Sequence, residues 1–242
     1  MKQRLAIFDI DGTLFRWQLY YAIVLKLREN NFFSVEAAKQ IDESFRAWEA
    51  REKSFSDFEE IAIAALNEHL PQLSSADFNK VVSDVMQRLS HKTYAYTRNL
   101  ALVLKQQGYF LLAVSGSPQE IAEPFVRKYG FDDCMGWVYE QKEGYFTGKI
   151  VRNTVHDKAA LIKDYVKEHD MSLTGSFAIG DSRGDIGMLK LVDQAIAFNP
   201  SQELLDEALQ EGWKIVIERK NIAYSLAKGD DGNTVLETTD RF

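Results

Sequence analysis

The chain holds a single cysteine, Cys134, in 242 residues, so no disulfide can close within it. That usage fits a reducing compartment. No triad-like setting surrounds Cys134, and a small buried thiol is the expectation there. Long apolar runs are also missing: the most apolar later stretch, LYYAIVLKL at 19–27, is far too short to cross a bilayer. Positive charge is in deficit, with 29 Lys and Arg against 36 Asp and Glu and a formal net charge of -7. An acidic chain gains nothing from counterion release on a phosphate backbone, which argues against nucleic acid and against anionic membrane surfaces as partners. The chain opens on a strand-like stretch instead of a basic and then apolar leader, so a cytoplasmic protein without stable membrane insertion is expected.

Several motifs are absent as well. The four histidines, His69, His91, His156 and His169, show no HExxH or paired-ligand spacing, which leaves zinc unsupported; a helix start is the expected place for His156. GSFAIGDSRGDIG at 175–187 is rich in glycine but lacks the Gly-Lys-Ser/Thr of a P-loop and the dinucleotide fingerprint. Ser115 is not framed by a Gly-x-Ser-x-Gly elbow. No internal repeat and no low-complexity linker interrupts the chain.

What remains is a composition of 45% hydrophobic and 27% charged residues, the profile of an ordinary globular protein. Residues 4–10 read as a strand, and the next comparable short apolar run is YFLLAVS at 109–115. Between them QLYYAIVLKLREN, SVEAAKQIDESFRAWEA, SFSDFEEIAIAALNEHL and SADFNKVVSDVMQRLS place apolar residues three and four apart, the helical period. From about residue 98 helix and strand alternate, with strands near 135–139, 176–181, 195–198 and 214–218 and a hairpin turning at Lys-Glu-Gly in EQKEGYFTGKI. This pattern predicts an α/β fold: a Rossmann-like parallel sheet with helices on both faces, formed by 1–14 and 96–227. Residues 15–95 are expected to form an inserted helical cap, and the polar 228–242 a flexible tail.

The strand LAIFDIDGTLF ends in two carboxylates, Asp9 and Asp11, that core packing alone would reject. In open α/β sheets ligands bind beyond the carboxyl ends of the strands. The other strand ends there carry Ser115-Gly116-Ser117, and Asp181 with Asp185 four residues on. Carboxylates brought together repel unless a cation sits among them, and an all-oxygen donor set suits Mg²⁺. Gly12 allows a close backbone approach to an anion and offers its N–H there. One carboxylate at a phosphorus and a second beside the leaving oxygen would make a nucleophile and a general acid. Taken singly the plainer readings hold: Asp11-Gly12 as a turn, Asp181-Ser182 as a helix cap, Lys158 as a solvated charge. Their joint order is what those readings leave unexplained.

DIDGT at 9–13, SGS at 115–117, Lys158 opening a helix and GDSRGD at 180–185 resemble, in order and spacing, the four motifs of the haloacid dehalogenase superfamily. The likeness is to its phosphoserine phosphatase-like subfamily IB, with a helical cap of the C1 type inserted after the first motif. It implies a magnesium-dependent phosphatase acting on a small phosphorylated substrate through an aspartyl-phosphate. Asp9 would be the nucleophile and Asp11 the general acid and base. Ser115, Gly116, Gly12 and Lys158 would hold the phosphoryl group. Asp9, the Asp11 backbone carbonyl, Asp181 and Asp185 would hold the metal. A phosphotransferase using the same intermediate and a non-catalytic phospho-ligand-binding protein are the alternatives.

The cap is where selectivity is expected to reside. The resemblance aligns Gln18 with the acidic side chain that grips a substrate ammonium in phosphoserine phosphatases, and a neutral amide grips one less well. Arg16, Gln18, Arg46, Trp48 and Arg51 are the candidate specificity residues; the plainer reading is solvated charge for the arginines and core packing for Trp48.

Overall fold

The computed structural model describes residues 3–155, 157–229 and 232–242, with the backbone alone for Ser56. His156 therefore lies outside the described residues. The chain divides into two compact units. The first comprises Met1–Gln18, His91–Trp137 and Asn153–Phe242; the second comprises Leu19–Ser90 and Val138–Arg152.

In chain order the elements are β1 (Arg4–Phe8), α1 (Leu19–Glu29), α2 (Val35–Glu49), α3 (Phe55–His69), α4 (Ser75–Leu89), α5 (Ala95–Gln106), β2 (Phe110–Pro118), α6 (Gln119–Lys128), β3 (Asp133–Lys142) and β4 (Tyr145–Arg152). They continue with α7 (Lys158–Glu168), β5 (Ser172–Gly180), α8 (Ile186–Leu189), β6 (Gln194–Phe198), α9 (Gln202–Glu211), β7 (Lys214–Arg219), β8 (Ile222–Lys228) and β9 (Thr234–Arg241).

In the first unit the strands run β3-β2-β1-β5-β6-β7-β8-β9. β3 through β7 in that order pair in parallel, and β8 and β9 complete the edge antiparallel. β1 is central because its sequence permits nothing else: Leu5, Ala6, Ile7 and Phe8 are all sealed from solvent, as an apolar run covered on both faces must be. Leu5 and Ile7 point into a core shared with Ile162 of α7, Met188 and Leu189 of α8, and Leu204 and Ala208 of α9. Ala6 and Phe8 alternate to the other face, where Phe8 meets Phe131 edge-to-face at 5.2 Å. The chain passes from β1 to β2 on one side and reaches β5 on the other, so the crevice between neighbouring strand ends opens at β1.

In the second unit Ser34, Ser54 and Ser74 each cap a helix by accepting from a backbone N–H, and Ser54 forms a reciprocal box with Asp57. Tyr21, Phe45, Trp48, Phe55 and Phe58 build an aromatic cluster with centroid distances of 5.2–6.3 Å.

Three expectations are corrected. The helical insert is expected over 15–95, whereas residues up to Gln18 and from His91 belong with the sheet. The hairpin is expected with the sheet unit, yet Val138–Arg152 belongs with the helices: Phe146 packs on Phe78 at 5.2 Å and Ser75 N–H donates to the Gly144 carbonyl at 2.8 Å. Its turn does fall at the expected place, with Glu143 and Gly144 both at positive φ as a two-residue hairpin needs. The tail is expected to be flexible, but Thr234–Arg241 forms β9 along β8. Every residue of β9 is exposed, so backbone pairing rather than apolar alternation holds it, and composition alone carries no sign of that.

Candidate active site

Three strand ends meet in the first unit. Asp9 follows β1 directly, its N–H donating to the Ile179 carbonyl of β5 at 2.9 Å. Ser115 and Ser117 lie near the end of β2, two residues apart and so on one face. Asp181 follows β5, and Lys158 is the first residue of α7.

Lys158 Nζ donates to Asp9 Oδ1 at 2.5 Å and to Asp185 Oδ1 at 2.7 Å, with all three side chains buried. The other oxygen of Asp185 accepts from the Asp181 N–H at 3.1 Å, the Ser182 N–H at 3.0 Å and the Ser182 hydroxyl at 3.0 Å. Asp185 thus braces the turn that carries Asp181. Gly180 makes room for it: a Cβ there would fall 2.5 Å from Asp185 Cβ. The Thr13 hydroxyl donates to Asp181 Oδ1 at 3.2 Å.

Asp11 turns the other way. Its carboxylate accepts from Ser115 Oγ at 2.6 Å and from Ser117 Oγ at 3.0 Å, and the Ser117 N–H in turn donates to Ser115 Oγ at 3.0 Å. Gly116 sits between those serines with only ordinary contact to Val155 at the position of a Cβ. Gly12 is needed for two reasons: its φ is +88°, and a Cβ would stand 2.1 Å from Asp181 Oδ2. The expectation that its N–H serves an anion is not met in this structure, since that N–H donates to the Phe15 and Trp17 carbonyls at 3.1 and 2.9 Å.

One carboxylate oxygen from each of Asp9, Asp181 and Asp185 lies within 4.8 Å of the others. Burial drives the Asp9 carboxyl up to about 7, with Lys158 opposing and Asp185 and Asp11 adding to the rise. Asp181 is likewise pushed well above the ordinary carboxylate range, by burial and then by Asp9 and Asp185. Burial opposes the charge on Lys158, but Asp185 and Asp9 together hold its ammonium firmly protonated. Asp9 Oδ2 is buried and has no hydrogen-bond partner among the described residues. An unsatisfied buried anion beside two mutually repelling carboxylates is what a hard divalent cation would relieve, so the residues fit such an ion.

Arg16 lies on the turn after β1, exposed, with its guanidinium over the Tyr94 ring, and Gln18 is half-buried two residues on. Arg46, Trp48 and Arg51 belong to the second unit. Trp48 is committed to the aromatic cluster there. Arg46 lines a groove of about 490 Å³ with Arg28, Phe33 and Asp42. Arg51 follows α2 in the left-handed region at φ 60°. Thr13, Gly180 and Ser117 join the site beyond the residues the sequence pattern marks, and the period-2 spacing of Ser115 and Ser117 is the signal for the last.

Residues 6–190 match the family model of haloacid dehalogenase-like hydrolases, and the chain belongs to that family. It is 29% identical to ML2424 of Mycobacterium leprae over 61% of this chain and 48% of that one. It is 25% identical to the phosphoserine phosphatase SerB1 of Mycobacterium tuberculosis over 87% of this chain and 69% of that one. The chain thus spans about half the length of the first relative and about two thirds of the second. A phosphoserine phosphatase solved as a phospho-aspartyl intermediate analogue shares the fold at a TM-score of 0.62, with 21% identity over 91% of this chain and 95% of that one. Among the described residues no helix is long and apolar enough to cross a membrane.

Proposed function

We propose that the protein is a magnesium-dependent phosphatase that hydrolyses a small phosphomonoester through an aspartyl-phosphate. The observation that carries the reading is Asp9: a buried carboxylate with one oxygen on Lys158 and the other without a hydrogen-bond partner among the described residues, beside Asp11 and Asp181. Family membership and the phosphoserine phosphatases among the relatives support it.

Asp9 attacks phosphorus as the bond to the leaving oxygen breaks, and Asp11 gives that oxygen its proton. Asp11 then takes a proton from the water that attacks the aspartyl-phosphate, which frees inorganic phosphate and restores Asp9. Two serine hydroxyls hold Asp11, so Ser117 can keep its orientation while the Ser115 O–H turns from Asp11 to a phosphoryl oxygen when the group arrives. Lys158 balances negative charge on Asp9 and on the phosphoryl group. Asp9, Asp181 and the Asp11 backbone carbonyl would hold Mg²⁺, braced by Asp185, and the ion when bound supplies positive charge beside the phosphoryl oxygens.

The test is phosphate release from phosphoserine, glycerol phosphate, sugar phosphates, nucleotides and p-nitrophenyl phosphate, with Mg²⁺ and with EDTA. Metal-dependent release from at least one ester is expected. Release that persists undiminished in EDTA would remove the metal from the account.

A further inference from the structure

Arg16 does not hang free at the edge of the sheet unit. The turn after β1 runs antiparallel to the segment before α5: Phe15 faces Thr93, the Arg16 N–H donates to the Lys92 carbonyl at 2.9 Å, and the Tyr94 N–H donates to the Leu14 carbonyl at 3.1 Å. In such a pairing the residues flanking a facing pair share the opposite face, so Arg16 and Tyr94 are diagonal neighbours. Their side chains meet accordingly, with the guanidinium carbon 5.2 Å from the centre of the Tyr94 ring.

Tyr94 is itself fixed. Its ring meets Phe198 edge-to-face at 5.0 Å, and the residue after Phe198, Asn199, is held in turn by its Oδ1 accepting from the Glu218 N–H at 2.8 Å. The loop that carries Asn199 also holds the metal-site turn, because the Ser201 N–H donates to the Asp181 carbonyl at 2.8 Å. On the Arg16 side, the carbonyl of the next residue, Trp17, accepts from the Gly12 N–H at 2.9 Å, and Gly12 lies directly against the Asp181 carboxylate. Arg16 is therefore mounted on an aromatic shelf at the rim of the aspartate cluster.

Its charge is unspent. Arg28 pairs with Asp42 and Arg127 with Glu123, but Arg16, though exposed, has no carboxylate partner among the described residues. A guanidinium with part of its freedom already lost to the ring is a ready receptor for an anion.

We propose that Arg16, positioned by Tyr94, binds a second anionic group of the substrate, a carboxylate or a further phosphate, and so selects phosphomonoesters that carry one. The inference rests on the phosphatase reading above and names its substrate class. Carboxylate and phosphate offer the guanidinium the same paired oxygens, and the experiment separates them.

The measurement is kcat and KM for the wild type, Arg16→Gln, Arg16→Lys, Tyr94→Leu and Tyr94→Phe on four esters. Phosphoglycolate carries a carboxylate, fructose 1,6-bisphosphate a second phosphate, and glycerol phosphate and p-nitrophenyl phosphate neither. Arg16→Gln is expected to lower kcat/KM on the order of 10–100-fold more for a doubly anionic ester than for the other two, mainly through KM, the scale of a lost charge-assisted hydrogen bond. Arg16→Lys should recover part of the loss. Tyr94→Leu should shift the same ratio and Tyr94→Phe restore it, since the ring face and not the hydroxyl carries the guanidinium. Which doubly anionic ester shows the effect identifies the group bound. Equal factors on all four esters, or no change, would overturn the assignment of Arg16. Wild-type protein that releases phosphate from no ester would instead overturn the phosphatase reading, and this inference with it.

Discussion

Lys158 and Asp9 form an ion pair at 2.5 Å in which both side chains are buried. Asp185 accepts from the same ammonium at 2.7 Å, so one cation serves two buried anions. Removing one member of a buried pair strands the others without hydration. Lys158→Met is therefore expected to lose about 3–5 kcal/mol of stability in EDTA, the usual cost of breaking such a pair. Urea unfolding followed by circular dichroism checks this, and a change below about 1 kcal/mol would mean that water reaches the site.

The raised Asp9 carboxyl gives a pH signature. Burial lifts it from 3.8 to about 7, so between those values the metal-free folded protein keeps a proton that the unfolded chain has released. Its contribution to stability is full below 3.8 and disappears as pH rises through about 7. A cation competes for the same carboxylate and binds better as that proton leaves. Mg²⁺ should accordingly raise the melting temperature more at pH 8 than at pH 5.5, with Asp181→Asn flattening the difference. Equal shifts at both pH values would contradict the assignment of Asp9 to the ion.

Gly12 separates backbone need from chemistry. A Cβ on it would collide with Asp181 Oδ2, and its φ of +88° disfavours any side chain. Gly12→Ala is expected to cost about 1–3 kcal/mol, the range for strained backbone, and to abolish the thermal shift caused by Mg²⁺. A variant that keeps the full shift would show that Asp181 can move aside without losing the ion.

Ser117 holds both oxygens of Asp11 at 3.0 Å. Losing one such bond to a charged acceptor should lower kcat about 10-fold or more and displace the pH limb assigned to Asp11. The pH–rate profile of Ser117→Ala measures both, and a lower kcat with an unmoved limb would limit Ser117 to packing.

Much of this site is legible in the sequence because its parts violate packing rules. An apolar strand ending in Asp9 and Asp11, and another ending in Asp181, stand out wherever period and polarity conflict. Ser34, Ser54 and Ser74, which open α2, α3 and α4, are also legible, because an N-cap is a local feature of the chain. What stayed hidden was non-local. Nothing in Gly12 itself announces that its N–H goes to Phe15 and Trp17. Val138–Arg152 reads as a hairpin, but its membership with α1–α4 depends on a partner such as Phe78, distant in sequence. β9 lacks the alternation that marks a strand because both of its faces meet solvent.

The central claim is that Asp9 becomes phosphorylated, and the Asp11→Asn protein tests it most directly. p-Nitrophenolate leaves without needing a proton, whereas hydrolysis of the intermediate needs Asp11 to activate water. With p-nitrophenyl phosphate and Mg²⁺ this variant should form the aspartyl-phosphate and hydrolyse it on the order of 10²–10⁴-fold more slowly than wild type. Acid quench and peptide mass analysis should then find one phosphoryl group on Asp9, and none when Asp9→Asn is added to the same protein. Turnover that survives Asp9→Asn, or a phosphoryl group found on another residue, would contradict the account.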